Sequence, residues 1–145
     1  MGTMNVSDIL LTPLARIETA GGDVLHAMKA SDAGYVGFGE AYFSWVTAGT
    51  VKAWKRHTRM TMNLVVPVGT VRFVFHGMNS KGTNEFRVEE IGEDRYSRIT
   101  VPPGIWFGFQ GMAKPHNLVL NIASMSHDPQ EVERKTLSDV NYDWS

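Results

Sequence analysis

The chain has 145 residues, 43% of them hydrophobic, with a formal net charge of −1 and a pI near 6.5. That length allows one domain, residues 1–145, with a real core, and the near-neutral balance without a Lys/Arg cluster excludes nucleic acid as a partner. The absence of Cys excludes disulfides and thiol chemistry, no apolar run approaches the roughly 20 residues of a membrane span, and MGTMNVSDIL lacks the basic and apolar regions of a signal peptide, so a cytoplasmic protein without membrane partners is expected.

In chain order, residues 1–10 read as a loose arm or an edge strand given to a partner subunit, with Ile9 to Ile17 as the segment for exchange. VGFGEAYFSWV (Val36 to Val46) is aromatic and roughly alternating, and TVKAWKRHT (Thr50 to Thr58) alternates. MNLVVPVG and TVRFVFHG follow as two runs around the turn residue Gly69; Pro67 marks an edge or a strand end. GMNSKGTN (Gly77 to Asn84) is a loop by composition. FRVEEIG, RYSRITVPPG and HNLVLNIASM complete a series of short strands separated by turns, the pattern of an all-β sandwich or barrel. Near the C-terminus DPQEVERKTL predicts a short helix, with Asp128 as N-cap, Pro129 at the first helical position and Glu131 at the third.

The run from Gly49 to Gly69, GTVKAWKRHTRMTMNLVVPVG, has the spacing of a cupin metal motif without most of its ligands. Lys55 stands where the first His belongs, His57 fills the second His position, and Met62 stands where Glu belongs. A divalent metal needs several converging imidazole or carboxylate ligands, so this cupin-like chain is expected to work without metal or cofactor. The resemblance implies a cupin-type double-stranded β-helix, or jelly-roll sandwich, with one or two short C-terminal helices.

The order of motifs resembles the dTDP-4-dehydrorhamnose 3,5-epimerase family of RmlC-like cupins, and more distantly the dTDP-sugar 3,4-ketoisomerases. GGDVLHAM, KAWK, NLV, PPGIWFGF, HDPQEVE and DVNYDW fall where that family carries its own segments. The resemblance implies a homodimer that binds a nucleotide-activated deoxysugar and isomerises it next to a 4-keto group. In the family a His base is paired to an Asp, and a Tyr acid works on the other face of the ring. Here Asp139 matches the Asp, Asn121 or a neighbour falls at the Tyr, Phe107 replaces a second-motif His, and Lys52 matches a substrate-binding Arg. These departures leave open a catalytically silent cupin that binds a nucleotide sugar or a related small molecule.

Epimerisation beside a ketone needs a base, a group that stabilises the enolate, and an acid. His57 is the leading base because imidazole titrates near neutrality. Lys55 is the alternative if a dry pocket lowers its pKa; otherwise it holds a phosphate. In a regular strand Lys55 and His57 share a face, with Lys52, Trp54 and Arg56 opposite unless a bulge falls near Trp54. Arg56, Arg59 and Arg72 are further phosphate contacts, Asn63 is an amide placed for a ligand or a buried partner, and Trp106 and Phe109 supply an aromatic wall. The expected site therefore gathers Lys55, His57 and Asn63 against Trp106 or Phe109.

Overall fold

The computed structural model describes residues 4–145. Among the described residues twelve strands carry the fold: β1 (Leu10–Pro13), β2 (Arg16–Ile17), β3 (Val24–Leu25), β4 (Glu40–Thr47), β5 (Val51–His57), β6 (Met62–Val68), β7 (Thr70–Met78), β8 (Asn84–Gly92), β9 (Ser97–Val101), β10 (Trp106–Gly111), β11 (His116–Ala123) and β12 (Val132–Arg134). Two antiparallel five-stranded sheets form, in the orders β1-β9-β6-β11-β4 and β12-β5-β10-β7-β8, and β2 and β3 pair apart from them. The jelly-roll expectation holds, and among the described residues the helices are short 3-10 turns. None is long and apolar enough to cross a membrane.

Alternation explains the core. Met62, Leu64 and Val66 of β6, Val71, Phe73 and Phe75 of β7, and Ile99 and Val101 of β9 face one another between the sheets, and each such burial is worth about 1.5–3 kcal/mol. Val6 and Ile9 join this core, and β1 pairs with β9 of the same chain. In this structure Val6 to Pro13 of the segment read as an arm pack on their own chain; residues 1–3 of that arm lie outside the described residues.

Two irregularities shape the sheets. Pro67 sits near the end of β6, the strand end that the sequence allowed, in a central strand where the β6–β11 register shifts beside it and a bulge needs no amide donor. In the β5–β10 ladder Phe107 pairs with Lys55 while Gly108 pairs with Ala53, which leaves Trp54 as the extra residue. A Cβ on Gly108 would lie 2.4 Å from that of Ala53, so the two backbones close up at this point. Trp54 turns to the outer face and packs with Trp106, Val74 and Val140, under Tyr142 and Trp144 of the C-terminal segment. The C-terminal helix is shorter than expected. Asp128 does cap a turn at Pro129–Glu131, accepting from the Gln130 amide at 3.0 Å, but the chain then leaves to pair with β5 as β12.

Candidate active site

A cavity of about 640 Å³ opens between the sheets, within the size range of small-molecule sites. Met60, Met62 and Leu64 line it with Phe107 and Phe109. The first sheet contributes Tyr42 and Ser44 of β4 and Asn121 of β11; the second contributes Lys52, Lys55 and His57 of β5 and Arg134 of β12.

His57 is buried, and its Nδ1 is bonded to Oε1 of Glu131, which is 1% exposed. The other oxygen of Glu131 accepts from the amides of Arg59 and Met60, both at 3.2 Å. Burial opposes ionisation of Glu131, but the His57 bond and the two amides outweigh it and hold the carboxyl below its ordinary value. With Nδ1 engaged by the carboxylate, Nε2 is the ring nitrogen left to act as base. Phe107, where a second-motif His was expected, stacks on the imidazole at 5.9 Å and 16°.

Lys55 and Arg134 are register partners across β5 and β12 and both line the cavity. Among the described residues neither has a carboxylate partner within ion-pair distance. Desolvation first, then the charges of Arg134 and Lys52, lower the pKa of Lys55. Like charges placed opposite in a ladder repel, so these cations suit an anionic ligand. Lys52 joins them because the bulge at Trp54 turns it to the cavity side; its Nζ also donates to the Trp45 carbonyl at 3.2 Å.

Several expected site residues lie elsewhere. Asn63 faces away from the cavity: its amide donates to the Gly34 carbonyl at 3.1 Å and its oxygen accepts from Thr100 at 2.6 Å. Asp139 does not orient His57; it caps an exposed 3-10 turn by accepting from the Thr136 amide at 2.8 Å. Arg56 pairs with Glu133 at 2.8 Å and covers Trp106, which packs on the outer face, so neither side chain reaches the cavity. Arg59 pairs with Asp128 at 2.7 Å and Arg72 with Glu90 at 3.1 Å, each away from the cavity lining. Lys52, Lys55, His57, Phe109 and Asn121 are brought together. Glu131, Arg134 and Tyr42 were missed as site residues. Alternation of Tyr42 with Glu40 and Ser44, and of Arg134 with Val132, was the available signal.

The cupin metal positions hold Lys55, Met62, Phe107 and one acid-bound His, a donor set that does not fit a divalent ion. Among the described residues no cluster of three or more His, Asp or Glu could ligate one.

Sandwich topology and a cavity between the sheets make this a cupin-type jelly roll. No protein-family model matches the chain. A dTDP sugar isomerase from Desulfovibrio desulfuricans G20, known from a crystal structure, is 33% identical, with 94% of this chain and 90% of that one covered at a TM-score of 0.87. The chain belongs to that family, the RmlC-like dTDP-sugar isomerases and epimerases. The same fold is found in a dTDP-4-dehydrorhamnose 3,5-epimerase from Sulfolobus tokodaii, at 17% identity, 97% and 85% coverage and a TM-score of 0.80. Among curated relatives, a spore coat polysaccharide biosynthesis protein from Bacillus subtilis is 23% identical over 114 residues, 74% of this chain and 76% of that protein.

Proposed function

We propose that the chain is an isomerase or epimerase acting on a 4-keto-6-deoxyhexose carried by a nucleoside diphosphate, with no metal or redox cofactor in the step. The observation that carries this reading is the buried His57–Glu131 pair facing an open cavity. His57 Nε2 removes the proton beside the ketone, and Glu131 stabilises the imidazolium that results. Lys55, Arg134 and Lys52 meet the diphosphate, whose charge relieves their mutual repulsion. Phe109 and the methionines of the floor give the sugar an apolar seat.

The relatives support the choice of ligand. The 33%-identical protein is a dTDP sugar isomerase. A 3,4-ketoisomerase of the same fold, from Thermoanaerobacterium thermosaccharolyticum, was crystallised with TDP and, as a mutant, with TDP-4-keto-6-deoxyglucose. A single cytoplasmic domain that works as a homodimer completes the proposal. The absence of Cys agrees with that location. The edge strand β4, with Phe43 61% and Trp45 56% exposed, supports pairing.

The test is to incubate the protein with TDP-4-keto-6-deoxyglucose and follow the sugar protons by NMR, beside a thermal-shift series. A ligand at about a hundredfold its Kd adds roughly 2.7 kcal/mol of stability. Stabilisation together with a rearranged or inverted sugar is the expected result. Stabilisation without turnover makes the chain a silent binder, and the absence of both effects overturns the assignment.

A further inference from the structure

We propose that Trp54, clamped by Tyr142 and Trp144 of the C-terminal segment, is a positioning residue: from the outer face of its sheet it holds the bulge that turns Lys52 into the cavity. The inference deepens the sugar-nucleotide reading and rests on it. A bulge beside a site re-aims side chains. In an unbroken β5–β10 ladder Trp54 would stand opposite Gly108, Ala53 opposite Phe109 and Lys52 opposite Gln110, which puts Lys52 on the outer face. The extra residue instead sets Lys52 opposite Phe109, so the two share the cavity side. From there the Lys52 ammonium spans to the Trp45 carbonyl of the other sheet at 3.2 Å.

The bulge is pinned from both sides. Toward β12 the ladder skips nothing: Lys135 follows Arg134, and its amide donates to the Trp54 carbonyl at 3.0 Å while its carbonyl accepts from the Trp54 amide at 3.1 Å. Toward β10 the strand passes Trp54 by, and its side chain is buried under the C-terminal segment. Its ring centroid lies 5.4 Å from that of Trp144 and 6.3 Å from that of Tyr142. Gly108 makes room for this clamp, since a Cβ there would lie 3.2 Å from the Trp144 ring as well as against Ala53. The indole N–H groups of Trp54 and Trp144 are buried with no acceptor among the described residues. Buried donors are ordinarily paired, so ring packing, not hydrogen bonding, is what these two side chains contribute.

The Trp54 ring belongs to the outer cluster and not to the core beneath the cavity. It therefore acts on a ligand through the strand it bends. Once the clamp is removed, β5 is free to return to plain alternation, with Ala53 on the cavity side and Lys52 outside. The diphosphate then loses Lys52 and keeps Lys55 and Arg134.

The experiment is a double-mutant cycle on TDP affinity, read by calorimetry in wild type, Lys52→Ala, Trp54→Ala and the double variant. Each single variant is expected to weaken TDP binding by about tenfold, the scale of one charge-assisted contact. The double variant should bind no more weakly than Lys52→Ala, because Trp54 acts through Lys52. Trp54→Phe keeps a buried ring and should restore most of the affinity. Trp144→Ala, near the end of the chain, carries the same cycle with Lys52→Ala where Trp54→Ala does not fold. Losses that add in the double variants, or wild-type affinity in Trp54→Ala and Trp144→Ala, overturn the positioning role alone. Wild-type affinity in Lys52→Ala overturns it as well, by removing Lys52 from the diphosphate. A wild type that does not bind TDP overturns this role and the sugar-nucleotide reading together.

Discussion

At the residue scale the site is a division of labour among buried and half-buried charges. His57→Ala is expected to lower kcat by roughly 10²- to 10⁴-fold, since it removes the proposed base; steady-state kinetics showing an unchanged kcat would move that role elsewhere. Glu131 is ionised below its ordinary value of 4.5. A depressed carboxyl contributes stability that is fully present above the unfolded value and is lost as pH falls through the folded one. Acid titration of the melting temperature should therefore show a loss beginning below about pH 4.5 in wild type and reduced in Glu131→Gln; identical curves would contradict the pairing. Lys55 titrates below its ordinary 10.5. Its hold on an anion should weaken as pH rises through that lowered value, and Lys55→Ala should raise KM and flatten the alkaline loss of TDP affinity. A fall in kcat with KM unchanged would instead make Lys55 the base. His57 and Lys55 were legible from strand alternation and imidazole chemistry. Glu131 was not: its partnership with His57 joins positions 74 apart in the chain, which no local pattern records.

At the element scale, irregular features do the positioning. The bulge at Trp54 brings Lys52 round to the side of Lys55, and strict alternation would have placed them on opposite faces. The N-cap at Asp128 was readable, but pairing of Val132–Arg134 with β5 overrides further helix and carries Arg134 into the site. Strand β10 was hidden because Trp106, Phe107 and Phe109 read as a post-turn aromatic cluster. Asn117 shows how tightly the turns are tied. Fully buried, it accepts from the Thr70 and Ala113 amides at 2.8 and 3.1 Å and donates to the carbonyls of Val46 and Ala113, both at 3.1 Å. Asn117→Ala strands these peptide groups at about 1–3 kcal/mol for each left unpaired. Denaturant unfolding should show a loss of several kcal/mol, and a change below about 1 kcal/mol would mean that water replaces the amide.

At the scale of the whole molecule, a chain with a net charge of only −1 gathers Lys52, Lys55 and Arg134 at one cavity. That local field, rather than the overall charge, should govern encounter with an anionic substrate. KM is expected to rise with ionic strength while kcat holds steady, since exposed charges are screened within about 8 Å at physiological salt; a salt-independent KM would remove the cations from binding. Sheet order and register place Lys55 and His57 on one wall and Tyr42 and Asn121 on the other, an opposition visible only once both sheets are assembled. The most direct measurement is deuterium incorporation from D2O into TDP-4-keto-6-deoxyglucose by wild type and by His57→Asn. Incorporation beside the ketone by wild type, abolished in the variant, is the expected result. Incorporation that survives in His57→Asn, or none in a wild type that binds the sugar nucleotide, would contradict the account.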